Sequence, residues 1–267
     1  MGLKILIIGS GGREHAISWI ISKSKRAIEK IFVMPGNAGT LSEKNVFNIE
    51  CDINDHEAVL NFALDNKIDL TIVGSEVPLV KGISDLFEEK NLNIFGPKKY
   101  FAQLEGSKVF SKNFMASNNL PTAKYKEFND SKKAKEYLDD KKMPIVIKYD
   151  GLAAGKGVDI CETIDDAKKS VDNLLKPEER IIIEDFIKGI ELSAIYICNP
   201  NANKKNLGLT WVKDYKSRDE YNSGPNTGGM GAVTHPFCSY KKNDIYSLNV
   251  EIEKILIKTI VAINNGS

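Results

Sequence analysis

A lysine and a glycine-rich loop stand together in Pro144 to Gly157, PIVIKYDGLAAGKG. Ile145-Val-Ile-Lys148 reads as a short strand, and Gly151-Leu-Ala-Ala-Gly-Lys-Gly157 as the loop it feeds. Lys148 closes the strand, and Lys156 lies in the loop between Gly155 and Gly157. Small residues let backbone N–H groups approach the oxygens of a polyphosphate, and lysines supply the opposing charge. The spacing is not that of a P-loop: G-x-x-x-x-G-K-[ST] does not occur, and no helix follows at once. The same residues also describe a glycine-rich hairpin turn with two solvated lysines.

Other stretches carry compatible chemistry. Gly9-Ser-Gly-Gly12 precedes a helical pattern, so free amides at a helix N-terminus could receive an anion. The third glycine of a dinucleotide fingerprint is replaced by Glu14, and Arg13 could fork onto two oxygens of a compact phosphate. A tight turn with a surface arginine is the plainer reading. Pro35-Gly-Asn-Ala-Gly39, with Asn37 at its centre, is a second glycine loop after a strand. Lys108 lies in the first turn of a helix, where it opposes the dipole. Glu184, Asp185, Phe186 and Ile187 end an apolar strand, with Glu191 just beyond. An apolar slot with backbone edges suits adenine, and a carboxylate suits ribose hydroxyls. Asp214 to Met230 holds Asn226, Thr227, Gly228 and Gly229, and reads as a long functional loop. His15, His56 and His235 have no ligand spacing.

The elements that must position these groups alternate. Strands at Leu3 to Ile8, Ile31 to Met34, Ile68 to Val73 and Leu92 to Phe95 are separated by helices at Arg13 to Ser24, Asp55 to Asn66 and Leu79 to Lys90. This predicts a doubly wound parallel sheet with ligands at the strand C-termini, in a domain over residues 1–103. A second domain, residues 104–267, opens with a helix at Ser107 to Ser117. It continues with strands at Lys124 to Phe128, Ile145 to Lys148, Val158 to Cys161 and Arg180 to Ile187. Helices are expected at Ser131 to Leu138, from Thr163 as N-cap to Leu175, and at Asn243 to Ile263. Leu192 to Cys198 and Asn206 to Val212 read as hairpin arms. The fold class is α/β: a doubly wound domain followed by an α+β domain.

Composition bounds the partners. The 267 residues are 42% hydrophobic with a formal net charge of +1, so a sizeable core is expected and no basic field points to nucleic acid. The four cysteines are far apart, which suggests neither a zinc site nor a disulfide framework. No signal-peptide pattern and no membrane-length apolar run is present. A cytoplasmic protein acting on small molecules is expected, with no oligomeric state legible.

Together the motifs resemble the phosphoribosylamine–glycine ligases (glycinamide ribonucleotide synthetases) of the ATP-grasp superfamily. Gly9-Ser-Gly-Gly-Arg-Glu-His-Ala16, Pro35-Gly-Asn-Ala-Gly-Thr40, Leu104-Glu-Gly-Ser-Lys108, Pro144 to Gly157 and Gly224-Pro-Asn-Thr-Gly-Gly-Met-Gly231 match that family in order. The resemblance implies an ATP-grasp fold for the second domain. It implies ATP-dependent joining of glycine to 5-phospho-β-D-ribosylamine through a glycyl phosphate, with Mg²⁺ or Mn²⁺. It implies that Lys108 and Lys148 contact ATP phosphates, with Lys148 and Asp214 at the reaction centre. Gly155-Lys-Gly157 would be the lid, Glu184 to Ile187 would hold adenine, and Glu191 the ribose. Gly9, Gly11, Gly12, Arg13, Glu14 and Asn37 would line the phosphoribosylamine site. Asp214 and Asn226 to Met230 would face the substrates.

The match departs in two places. The family usually reads Asp-His-Lys-Arg where this chain has Asp214-Tyr-Lys-Ser217. Family members are also longer, and their R-F-G-D-P-E segment, which supplies the metal ligands, is expected to be missing here with the last β layer and a C-terminal domain. Two other readings therefore stay open: a catalytically incompetent remnant that binds nucleotide or phosphoribose, and another carboxylate–amine ligase of the same fold.

Overall fold

A computed structural model describes residues 2–153, 157–198, 206–234 and 242–266. Two compact units divide the chain, Met1–Gly106 and Ser107–Ser267.

In the first unit, β1 (Leu3–Gly9), α1 (Gly12–Ser22), β2 (Ile28–Pro35), α2 (Ala38–Leu41) and β3 (Val46–Asn48) lead into α3 (His56–Asp65) and β4 (Leu70–Val73). Then come α4 (Glu76–Lys81), α5 (Ile83–Glu89), β5 (Ile94–Phe95) and α6 (Lys99–Gly106). The five strands pair in parallel in the order β3-β2-β1-β4-β5. Side chains alternate between faces. Leu6 and Ile8 of β1 join Phe32, Met34, Val59 and Phe87 on one side, while Ile5 and Ile7 join Ile31, Val33, Ile17 and Ile21 on the other. Burial on both faces explains the uninterrupted apolar runs.

The structure adds α2, β3 and α6 to the sequence reading. Three residues, Val-Phe-Asn, are too few to show a period. The helix expected from Leu79 to Lys90 is two helices, because Gly82 is left-handed at φ 96° and breaks the ladder.

The second unit runs α7 (Lys108–Ser117), β6 (Tyr125–Phe128), α8 (Ser131–Asp139), β7 (Ile145–Tyr149), β8 (Val158–Cys161), α9 (Ile164–Leu174) and β9 (Ile181–Asp185). The strands form an antiparallel sheet in the order β6-β9-β7-β8. Ile145, Ile147, Ile181, Ile183 and Cys161 bury one face against Ala134, Leu138, Ala167 and Val171 of α8 and α9. The hydrogen bond from the Asp166 N–H to Thr163 Oγ1 caps α9, as its sequence predicts. Beyond this sheet lie the short pair β10 (Tyr196–Ile197) and β11 (Leu207–Gly208), then a long hairpin of β12 (Val212–Asp219) and β13 (Ser223–Thr234), then α10 (Lys242–Asn265).

Candidate functional site

Period-2 alternation in β7 sends Ile145 and Ile147 into the core, and Val146 and Lys148 to the opposite face. Val146 stands opposite Glu184 on β9 and Ile160 on β8, while Lys148 stands opposite Ile182 and Val158. This second face carries the polar groups. Glu184 is buried at 6% exposure and its carboxylate takes two ammonium groups. Lys148 pairs with Oε1, and Lys112 of α7 reaches Oε2 at 2.5 Å. Lys112 is buried as well, and donates to Thr122 Oγ1 at 2.7 Å. The resemblance assigns Glu184 to Ile187 to adenine; in the structure the Glu184 carboxylate of that segment pairs with the two lysines. Lys112 carries no sequence signal beyond its place one turn past Lys108 on the same helix face.

A second junction fixes the start of the glycine loop. Asp150 Oδ1 accepts from the Ser107 hydroxyl at 2.9 Å and from the Val109 N–H at 3.1 Å. Its Oδ2 pairs with Arg180 at 2.8 Å. A carboxylate at the N-terminus of α7 is favoured by the helix dipole. Lys108 Nζ donates to the Gly151 carbonyl at 2.9 Å. Helix and loop are thus fastened at both Asp150 and Gly151. The Tyr149 N–H donates to the Gly157 carbonyl at 2.8 Å where the loop rejoins the sheet. Gly155 and Lys156 lie outside the described residues.

A cavity of about 520 Å³ opens between Ile160 of β8, the segment after β9, and the β12–β13 hairpin. Phe186, Ile187 and Glu191 line it from one side, and Asp214, Lys216 and Asn226 from the other. Asp185 ends β9, and its N–H is taken by the Lys124 carbonyl at 2.9 Å. Lys216 Nζ donates to Glu191 Oε1 at 2.7 Å and lies 3.7 Å from Asp214 Oδ2. That bond to Glu191, with the two carboxylate charges, holds the Lys216 ammonium above its usual range. Ser217 also lines the cavity, while Arg218 forks onto Asp219 at 2.7 and 2.9 Å.

The long loop expected from Asp214 to Met230 is instead largely paired strand. Tyr215 stands opposite Gly231 and Ser217 opposite Asn226. Two steps along β12 therefore match five along β13 (231 to 226), and Thr227, Gly228, Gly229 and Met230 bulge from the ladder. Thr227 Oγ1 donates to the Lys216 carbonyl at 2.8 Å and accepts from the Gly229 N–H at 3.1 Å. Met230 is exposed. A Cβ on Gly229 would stand 3.6 Å from Asp214 Oδ1.

In the first unit, the ends of β1, β2 and β4 converge. Glu14 is buried, and its Oε2 accepts from the Gly11 N–H at 2.6 Å. A Cβ on Gly74 would lie 2.0 Å from Glu14 Oε1, and one on Gly9 2.6 Å from its carboxyl carbon. These glycines make room for Glu14. Arg13 donates to the Gly74 carbonyl and to Glu76 Oε1 at 2.9 Å. Asn37 caps α2, and its amide donates to the Ser10 carbonyl at 2.9 Å and the Gly11 carbonyl at 3.3 Å. Gly12 opens α1 with open space where a side chain would stand.

Family models match both units. Residues 3–105 match the phosphoribosylglycinamide synthetase N domain, and residues 106–266 the ATP-grasp (A) domain of the same synthetase. The chain belongs to the phosphoribosylglycinamide synthetase family. It is 45% identical over 238 residues to a phosphoribosylamine–glycine ligase of Escherichia coli O157:H7, covering 87% of this chain and 54% of that one. It is 42% identical over 268 residues to the Clostridium acetobutylicum ligase, covering 98% and 62%. The chain spans about half to three-fifths of the length of these curated relatives. A crystal structure of the Thermotoga maritima phosphoribosylamine–glycine ligase superposes with a TM-score of 0.75 at 29% identity, covering 99% of this chain and 62% of that one. An N5-carboxyaminoimidazole ribonucleotide synthetase, crystallised as its ADP complex, shares the fold with a TM-score of 0.71 at 16% identity, covering 96% and 63%. Among the described residues no group of three or more His, Cys, Asp or Glu could hold a metal ion, and no helix is long and apolar enough to cross a membrane.

Proposed function

We propose that this chain carries the nucleotide- and phosphoribose-binding parts of a ligase that joins glycine to 5-phospho-β-D-ribosylamine with ATP. The supporting observation is the cavity between the sheet and the β12–β13 hairpin. It offers Phe186, Ile187 and Ile160 as apolar walls and Glu191 as a carboxylate, all in one recess. Adenine fits an apolar slot, and ribose hydroxyls fit an acceptor. Lys148, on the adjoining strand face, and Lys108, at the foot of the loop, would oppose phosphate charge.

In the chemistry proposed, a glycine carboxylate oxygen attacks the γ-phosphorus of ATP, and the bond from that phosphorus to ADP breaks. The amine of phosphoribosylamine then attacks the acyl carbon, phosphate leaves, and the nitrogen loses a proton. Lysines that offset the charge and a hairpin that orients the reactants do most of the work. Asp214, beside the bulge of Thr227 to Met230, is suited to hold an ammonium or amine. The family's Mg²⁺ or Mn²⁺ finds no fitting cluster among the described residues.

Calorimetric titration with ADP, followed by an ADP-release assay with glycine and phosphoribosylamine, tests this reading. ADP binding and release that needs both substrates are expected. Absence of ADP binding would overturn the reading. Binding without glycine-dependent release would assign the chain nucleotide binding alone.

A further inference from the structure

Lys148 cannot act on phosphate as a plain cation, because Glu184 already holds it. An ammonium paired with a buried carboxylate presents almost no net field to a ligand. The geometry points to Lys112 as the residue that restores that field. It is buried on α7, 2.5 Å from the other oxygen of Glu184, and anchored by the Thr122 hydroxyl and the Ala123 carbonyl. Two ammonium groups and one carboxylate leave the trio with one positive charge. Lys112 sits behind Glu184 and satisfies its charge, so Lys148 at 28% exposure faces outward as the cationic end. Lys112 is thus a positioning residue acting through Glu184. At low local dielectric such a charge is felt over several ångströms. This rests on the nucleotide-binding reading.

Paired titrations with ADP and with adenosine test it, because adenosine shares the base and ribose and lacks the phosphates. In Lys112→Met, the trio becomes neutral while Glu184 keeps Lys148 as partner. ADP affinity should fall by about tenfold, roughly 1.4 kcal/mol. Adenosine affinity should stay unchanged. The double variant Lys112→Met/Glu184→Gln again leaves one positive charge, and ADP affinity should return. Equal losses for ADP and adenosine would mark Lys112 as a structural prop and overturn the inference. So would a double variant as weak as Lys112→Met, provided its melting temperature matches that of the single variant. ADP binding unchanged in Lys112→Met would overturn the inference and leave the nucleotide site standing. Wild-type protein that binds neither ligand would instead overturn the nucleotide reading on which it rests.

Discussion

Asp150 shows how much one carboxylate can hold. It takes the Ser107 hydroxyl and the Val109 N–H on one oxygen and Arg180 on the other, and its side chain is nearly inaccessible. Hydrogen bonds to a charged group contribute about 1.5–3 kcal/mol each, whereas the half-exposed Arg180 adds at most ~1 kcal/mol. Asp150→Ala should therefore destabilise the second unit by about 3 kcal/mol in urea unfolding. Asp150→Asn, which keeps an acceptor for α7, should lose less than half of that. Equal losses in both variants would mean that Arg180, and not the helix N-terminus, is what Asp150 holds. No sequence pattern marks this residue, since its partners come from two separate stretches, the start of α7 and Arg180. The pairing of Lys112 with Glu184 is hidden for the same reason. Glu14 was visible as a departure from a glycine fingerprint. Its meaning was not, because only the fold brings Gly74 of a distant strand end against its carboxylate.

Elements were legible where local chemistry decides them. Thr163 accepts from the Asp166 N–H at 3.1 Å and donates to Asp166 Oδ2 at 2.7 Å, a cap readable from four consecutive residues. Thr163→Ala should lower the stability of the second unit by about 1 kcal/mol, seen as a lower urea midpoint with an unchanged slope. Thr163→Ser should recover most of it, and a slope that changes would place the effect in the unfolded chain. The β12–β13 hairpin is the opposite case. Glycine and asparagine disfavour strands intrinsically, so Gly224 to Gly231 reads as a loop. Pairing with β12 overrides that preference, and the surplus of residues is absorbed in the bulge of Thr227 to Met230. Within the bulge Gly229 takes φ 131°, a backbone conformation that side-chain-bearing residues rarely adopt, so glycine is required at that position.

At the scale of the whole molecule, the alternation of strands and helices revealed the doubly wound sheet, and the five motifs in order revealed the family. The division into cores could not be read so directly, because burial depends on which faces meet. One core lies on each face of the first unit's sheet, and a separate one in the second unit. The proposed nucleotide cavity is built wholly from the second. A ligand stabilises only the state that binds it, by about 2.7 kcal/mol at a hundredfold excess over Kd. Two thiols can report on this. Cys161 is buried in the second core, and burial pushes its thiol up to about 11 from the usual 9.0. Such a raised value leaves its contribution to stability complete below pH 9 and removes it as pH rises toward 11. Labelling at pH 8 therefore does not itself weaken the fold, and Cys161 reacts when the second unit opens. Cys51, packed against the first core, is half-buried with its thiol also raised by burial. Saturating ADP should slow labelling of Cys161 by about a hundredfold, with Cys51 unaffected, as read by mass spectrometry of each cysteine peptide. Equal protection of both would show that the units open together, and protection of neither would remove the nucleotide from the second unit.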